Sequence, residues 1–221
     1  MQWGTLLAVL IYFRQQLITI ARAFLRGLIQ RQPFAERDAV MGWYLIIATL
    51  PAVICGLLGK DLVEQAFASS KMTGFFLLLT ALLLIIAEKM GHRNRSLEQL
   101  DWKDSLWIGF SQVLALLPGV SRSGATMAGG MTRHLDRSTA ASFSFLMSVP
   151  VMLGAGLLAI KDLLELPAST DFFLPLLVGF FTAAVSGYIA IRWLIAYLSK
   201  HSLYLFAGYC TTLGLLVVFF F

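Results

Sequence analysis

Arg122 is the only charged residue between Ser105 and Thr132, and it stands in the run Leu116-Leu117-Pro118-Gly119-Val120-Ser121-Arg122-Ser123-Gly124-Ala125-Thr126. Pro118 and Gly119 break a helix, and the residues after Ser121 can start another. A helix start leaves amide N–H groups without intrahelical acceptors, and a guanidinium beside them makes an anion site, with phosphate its usual occupant. Arg122 can hold two phosphate oxygens in a fork, Ser121, Ser123 and Thr126 add hydroxyls, and the Gly124 and Ala125 amides add the field of a helix end. The competing reading is structural: Arg122 caps helix carbonyls while the hydroxyls bond their own backbone.

The chain that must position this cluster has 221 residues, 58% hydrophobic and 13% charged, with mean hydropathy +0.79. Such a composition belongs to an integral membrane protein. Uncharged runs at 39–59, 72–87, 138–160, 172–191 and 202–221 are each near the ~20 residues that cross a bilayer as a helix. The apolar run from Trp3 to Phe13 is shorter, with no signal-peptide pattern around it. After it, Leu17, Ile18, Ala21, Phe24, Leu25 and Leu28 follow helical spacing opposite Arg14, Arg22 and Arg26, as in a helix lying along an anionic leaflet. In this composition the net charge of +5 reflects membrane orientation, and no nucleic-acid partner is expected.

Most of the 17 lysines and arginines fall in alternate connections: Arg14 to Arg37, Lys89 to Lys103, Arg133 with Arg137, and Arg192 with Lys200. The remaining connections hold Lys60, Lys71 and Lys161, so the first set is cytoplasmic by the positive-inside rule. Basic flanks on both sides of the Arg122 segment make residues 105–132 a re-entrant hairpin rather than a span. The expected fold is an all-α, polytopic helical bundle, a single membrane domain over 1–221. Residues 1–90 form the remainder of a first repeat and 105–221 a second, inverted one that begins with the hairpin. The plan asks for another hairpin ahead of the first span, and the chain begins without it.

Other chemistry-bearing residues have plainer readings. His92, His134 and His201 fall in connections and read as solvated, Glu88 reads as an interfacial ion pair beside Lys89, and the Glu98 to Asp104 loop reads as an anchor. Pro51 and Pro150 read as packing kinks, and Cys55 and Cys210 as small apolar side chains. No metal-binding or nucleotide-binding signature is present.

The run Pro118-Gly119-Val120-Ser121-Arg122-Ser123-Gly124-Ala125-Thr126 resembles the PGxSRSxxT signature of the bacterial undecaprenyl-diphosphate phosphatases, the bacitracin-resistance proteins. Gly4 to Val9, Leu50 to Val53, Gly109 to Gln112 and Ala141 to Leu146 are similar to family segments in family order. The resemblance implies a hydrolase of the bacterial cytoplasmic membrane that releases inorganic phosphate from a polyprenyl diphosphate, recycling the carrier for peptidoglycan synthesis and conferring bacitracin resistance. It implies Arg122, Ser121, Ser123 and Thr126 as catalytic groups, with Gly119, Gly124 and Ala125 at the substrate. A divalent cation, magnesium or calcium, is also implied, with its ligands in the family's other, glutamate-rich signature. That signature lies upstream of where this chain begins, so the chain is read as N-terminally shortened and, on its own, inactive. A homodimer is compatible with the plan, and the alternative function is transport or flipping of an anionic polyprenyl lipid.

Overall fold

The computed structural model of the chain describes residues 1–164 and 173–220, with backbone only for 158–164 and 173. Lys161, counted above in the charge pattern, therefore lies outside the described side chains, and residue 172 and Phe221 lie outside the described residues. Among the described residues every element is helical: α1 (Gln2–Tyr12), α2 (Arg14–Ile29), α3 (Arg37–Leu58), α4 (Lys60–Phe67), α5 (Ser70–Met90), α6 (Trp102–Val113), α7 (Arg122–Thr132), α8 (Arg137–Leu164), α9 (Phe173–Leu198) and α10 (Tyr204–Phe220). Four stretches, Arg37–Leu58, Ser70–Met90, Arg137–Leu157 and Leu174–Leu198, are long and apolar enough to cross a membrane. This is a multi-pass membrane protein. The run expected over 172–191 ends late: α9 continues through the exposed Arg192 to Leu198, because Trp193 to Tyr197 extend the apolar pattern and an arginine can reach past a helix end to the interface.

Two compact units are present, Met1–Trp43 with Phe145–Tyr197, and Tyr44–Ser144 with Leu198–Phe221. In the first, α1 packs on α9 through small residues. A Cβ at Gly4 would collide with the Phe180 carbonyl, and one at Gly187 would lie 3.1 Å from the Ala8 methyl. Phe13 ends α1 and the chain turns by 84° into α2. The face of α2 that packs is Ile20, Ala23 and Gly27, none of them in the set expected from spacing; of that set Ile18, Ala21, Leu25 and Leu28 are exposed, like Arg22 and Arg26, and Leu17 and Phe24 are half-buried.

In the second unit, α5 and α10 meet through glycines facing each other. A Cβ on Gly74 would lie 3.1 Å from the Gly214 carbonyl oxygen, and one on Gly214 3.0 Å from that of Gly74. On the other side α6 runs beside α3, with the Ser105 hydroxyl donating to the Tyr44 carbonyl at 2.6 Å. Gly109 one turn on admits the Ala48 carbonyl at 2.6 Å from where a Cβ would be. Pro51 and Pro150 sit inside continuous helices.

Candidate active site

Helices α6 and α7, at 12 and 11 residues, are each too short to cross a bilayer. They form a hairpin whose two ends meet. The Asp104 carboxylate, at the start of α6, accepts from Arg133 just past the end of α7 at 2.7 Å and from Arg95 at 2.6 and 3.1 Å. The Trp107 indole N–H donates to the Thr132 hydroxyl at 3.0 Å one turn further in. Asp104 is fully buried, and its two arginine partners hold its carboxyl below the usual carboxylate range against the opposing effect of desolvation. The loop read as an anchor thus carries a buried ionic clasp, which alternating charge signs in a short loop do not reveal.

At the other end the chain makes a turn of 3₁₀ helix, Leu114–Leu116, and then the Pro118-Gly119 break. Gly119 has φ +88°, and a Cβ there would collide with the Thr73 carbonyl of α5. Ser121 caps α7, its hydroxyl accepting from the Gly124 N–H at 3.2 Å, while its carbonyl takes the Ala125 N–H at 2.8 Å. The amides of Gly124 and Ala125 are therefore both engaged. Those of Arg122 and Ser123, the first two of the helix, have no acceptor among the described residues. The Ser121 and Ser123 hydroxyls lie 3.4 Å apart. The Arg122 guanidinium makes no hydrogen bond or ion pair with any described residue, so the helix-capping alternative is not what the structure shows. Ser121, Arg122 and Ser123 are half-buried, whereas Gly124 to Gly130 are buried.

Thr126 stands apart from this group. It is 1% exposed, and its hydroxyl lies 2.9 Å from the Arg122 carbonyl, 3.2 Å from that of Ser123 and 2.6 Å from the Ser144 hydroxyl on α8. Its hydrogen-bonding capacity goes to its own helix and its neighbour.

A profile of the family described as bacitracin resistance protein BacA matches residues 1–216. The chain belongs to this family. It is 43% identical to an undecaprenyl-diphosphatase of Chloroherpeton thalassium, over 98% of this chain and 80% of the relative. It is 40% identical to those of Myxococcus xanthus and Corynebacterium efficiens, over 98% of this chain and 73% and 74% of theirs. The expectation of a shortened chain gains no support from these matches.

Within this BacA-family chain, several residues around the motif were not singled out by sequence. Thr80, fully buried on α5, accepts the Ser121 N–H at 3.1 Å and lies 3.4 Å from the Gly119 carbonyl, holding the motif loop from both sides of its turn. Its only signal was one threonine in a run of leucines. Gln112 on α6 is 3% exposed with neither amide atom bonded, a buried orphan of the kind that natural cores rarely keep. Glu88 is 4% exposed and does form an ion pair, but not with Lys89. It accepts twice from Arg137 at 2.7 Å, once from Arg93 at 2.7 Å and once from the Leu203 N–H at 2.8 Å. A lysine one residue along a helix points away, while arginines from other elements converge. His92 and His134 lie ring to ring at 4.8 Å beside the hairpin's closed end, and His201 is exposed.

Among the described residues no group of three or more His, Cys, Asp or Glu could hold a metal ion. The two buried carboxylates, Glu88 and Asp104, are both saturated by arginines. The residues at hand do not fit a resident divalent cation, and no step is drawn through one.

Proposed function

We propose that this chain hydrolyses undecaprenyl diphosphate to undecaprenyl phosphate and inorganic phosphate in the bacterial cytoplasmic membrane, returning the carrier to peptidoglycan synthesis and conferring resistance to bacitracin. The observation that carries this reading is the unpaired Arg122 guanidinium at the start of a hairpin helix, next to two free amides and the Ser121 and Ser123 hydroxyls. A diphosphate offers these donors several anionic oxygens. As the bond to the terminal phosphorus breaks, negative charge builds on the transferred group and on the leaving oxygen. A cation and amide dipoles already fixed in place stabilise that charge without reorganising. Thr126 shapes the helix behind the cluster through Ser144, and Thr80 fixes the loop in front of it. The hairpin at 105–132 serves as the element that opens the second repeat and carries the site.

The test is release of inorganic phosphate from undecaprenyl diphosphate by the purified protein in lipid nanodiscs. Release is expected, lowered about 10- to 100-fold by Arg122→Lys, since one charge-assisted two-point grip contributes about 1.5 to 3 kcal/mol. Lipid crossing a bilayer with no phosphate released would replace hydrolysis by transport. Arg122-dependent binding with neither would match the expectation that these 221 residues bind without turning over.

A further inference from the structure

Going round α2 at ~100° per residue separates three faces. Ile20, Ala23 and Gly27 are buried on one. Ile18, Ala21, Leu25, Leu28 and Ile29 gather on a second that stands open, with Ile18, Leu25 and Ile29 at 48%, 58% and 82% exposure. The third carries Arg22 and Arg26 among Gln15, Thr19 and Gln30, all of them exposed. No acidic residue falls between Arg14 and Arg31. The Arg22 and Arg31 guanidinium groups make no hydrogen bond or ion pair with any described residue, whereas Arg26 meets the exposed Glu36 at 3.3 Å.

The path of α1 places these faces. It follows the spanning helix α9 over two turns, with Gly4 against Phe180, Gly187 against Ala8, and the Tyr12 and Tyr188 rings 6.0 Å apart. Tyr188 lies one turn before Arg192, which the charge pattern assigns to the cytoplasmic side. The 84° turn at Phe13 then carries α2 across the direction of α9, along the plane of that leaflet.

We propose that α2 is a docking surface for anionic phospholipids of the cytoplasmic leaflet, with Ile18, Leu25 and Ile29 among the acyl chains and Arg22 and Arg26 on the phosphates. The apolar set given by spacing is the open face, and the protein packs on a different one, so the apolar side is left for a partner rather than used up in the fold. That partner is lipid because an apolar face and a basic face adjoin along a helix lying at the interface. A bilayer offers hydrocarbon and phosphate side by side at the depths those two faces need, and its anionic lipids complement a charge of one sign. The reaction at Arg122 plays no part in this assignment.

The test uses the full chain in nanodiscs of phosphatidylcholine, with or without phosphatidylglycerol, carrying single nitroxide labels on cysteines in a Cys55→Ser, Cys210→Ser background. Labels at Ile18 and Leu25 are expected to relax with oxygen, which partitions into acyl chains, and labels at Thr19 and Gln30 with a water-soluble nickel chelate. Phosphatidylglycerol should draw Leu25 deeper. Arg22→Gln with Arg26→Gln should abolish that shift, and Arg22→Lys with Arg26→Lys should keep it. In native mass spectrometry Arg22→Gln should lower retention of phosphatidylglycerol relative to phosphatidylcholine about fivefold, the share of one arginine near an anionic surface. Because the Arg22 side chain bonds to no described residue, its replacement removes no contact from the fold. Nickel access at Ile18 and Leu25 equal to that at Thr19 would lift α2 off the bilayer and overturn the proposal. Equal depth and equal retention in the two lipids would leave insertion without headgroup recognition, and the anionic partner would be lost. Displacement of phosphatidylglycerol from α2 by undecaprenyl phosphate at equal concentration would hand the surface to a polyprenyl lipid and overturn it too.

Discussion

At the scale of single residues, the site is an exercise in which donors are left over. Arg122, its own amide and that of Ser123 are free, while Gly124, Ala125 and Thr126 are spent on the helix. Ser121→Ala should therefore lower turnover more than Thr126→Ser, which keeps the hydroxyl that Ser144 and the backbone use. Steady-state phosphate release on matched protein amounts reads the difference. Thr80→Val leaves the half-buried Ser121 N–H without its acceptor, at a cost of about 1 kcal/mol, and should lower both the melting temperature and activity; Thr80→Ser should recover much of both. Gln112→Leu should raise the melting temperature, because it removes two buried polar atoms that bond to nothing. The motif itself was legible because one charge in a long apolar stretch has few explanations. Thr80 and Ser144 were not, since a hydroxyl in a membrane helix back-bonds to its own carbonyls whether or not it also serves a neighbour.

At the scale of elements, the hairpin is held at both ends by different physics, ionic where α6 and α7 meet Arg95, neutral and backbone-directed where Thr80 meets the tip. Asp104→Asn would leave Arg95 and Arg133 facing a neutral amide, and because both arginines reach solvent the loss of these charge-assisted bonds costs about 1.5 to 3 kcal/mol. Thermal unfolding in detergent should show it as a lowered midpoint at neutral pH. The pH dependence has a definite sign. The folded carboxyl of Asp104 titrates below its unfolded range, so its contribution is complete above about pH 4 and is lost only as pH falls through the depressed folded value. Melting curves from pH 7 down to 3 should accordingly lose less midpoint in Asp104→Asn than in the parent protein. The break at Pro118-Gly119 and the cap at Ser121 could be read from local chemistry, as could the lengths that mark α6 and α7 as too short to span. The clasp could not, because Asp104 and Arg133 lie 29 residues apart and periodicity says nothing of who meets across that distance.

At the scale of the whole molecule, the charge pattern predicts that both ends of the hairpin open to the cytoplasm and that α4 lies on the other side. In a background with Cys55 and Cys210 replaced by serine, cysteines at Lys103 and Ser138 should react with an impermeant maleimide only from the cytoplasmic side. One at Glu64 should react only from outside, and labelling of Lys103 and Ser138 from opposite faces would make the hairpin a true span. Composition and run length were enough to announce a multi-pass helical protein, but not the network that joins the end of α5 to the start of α8 and to the residue before α10. Glu88 receives Arg137 from 49 residues downstream and the Leu203 N–H from 115 downstream. On a ribosome adding ~5 to 20 residues per second, the last of these donors emerges roughly 6 to 23 s after the carboxylate it serves. For that interval the nascent α5 carries an acid whose set of partners is incomplete. Its lodging in the bilayer has to be provisional until α10 is made and the glycine faces of Gly74 and Gly214 can close.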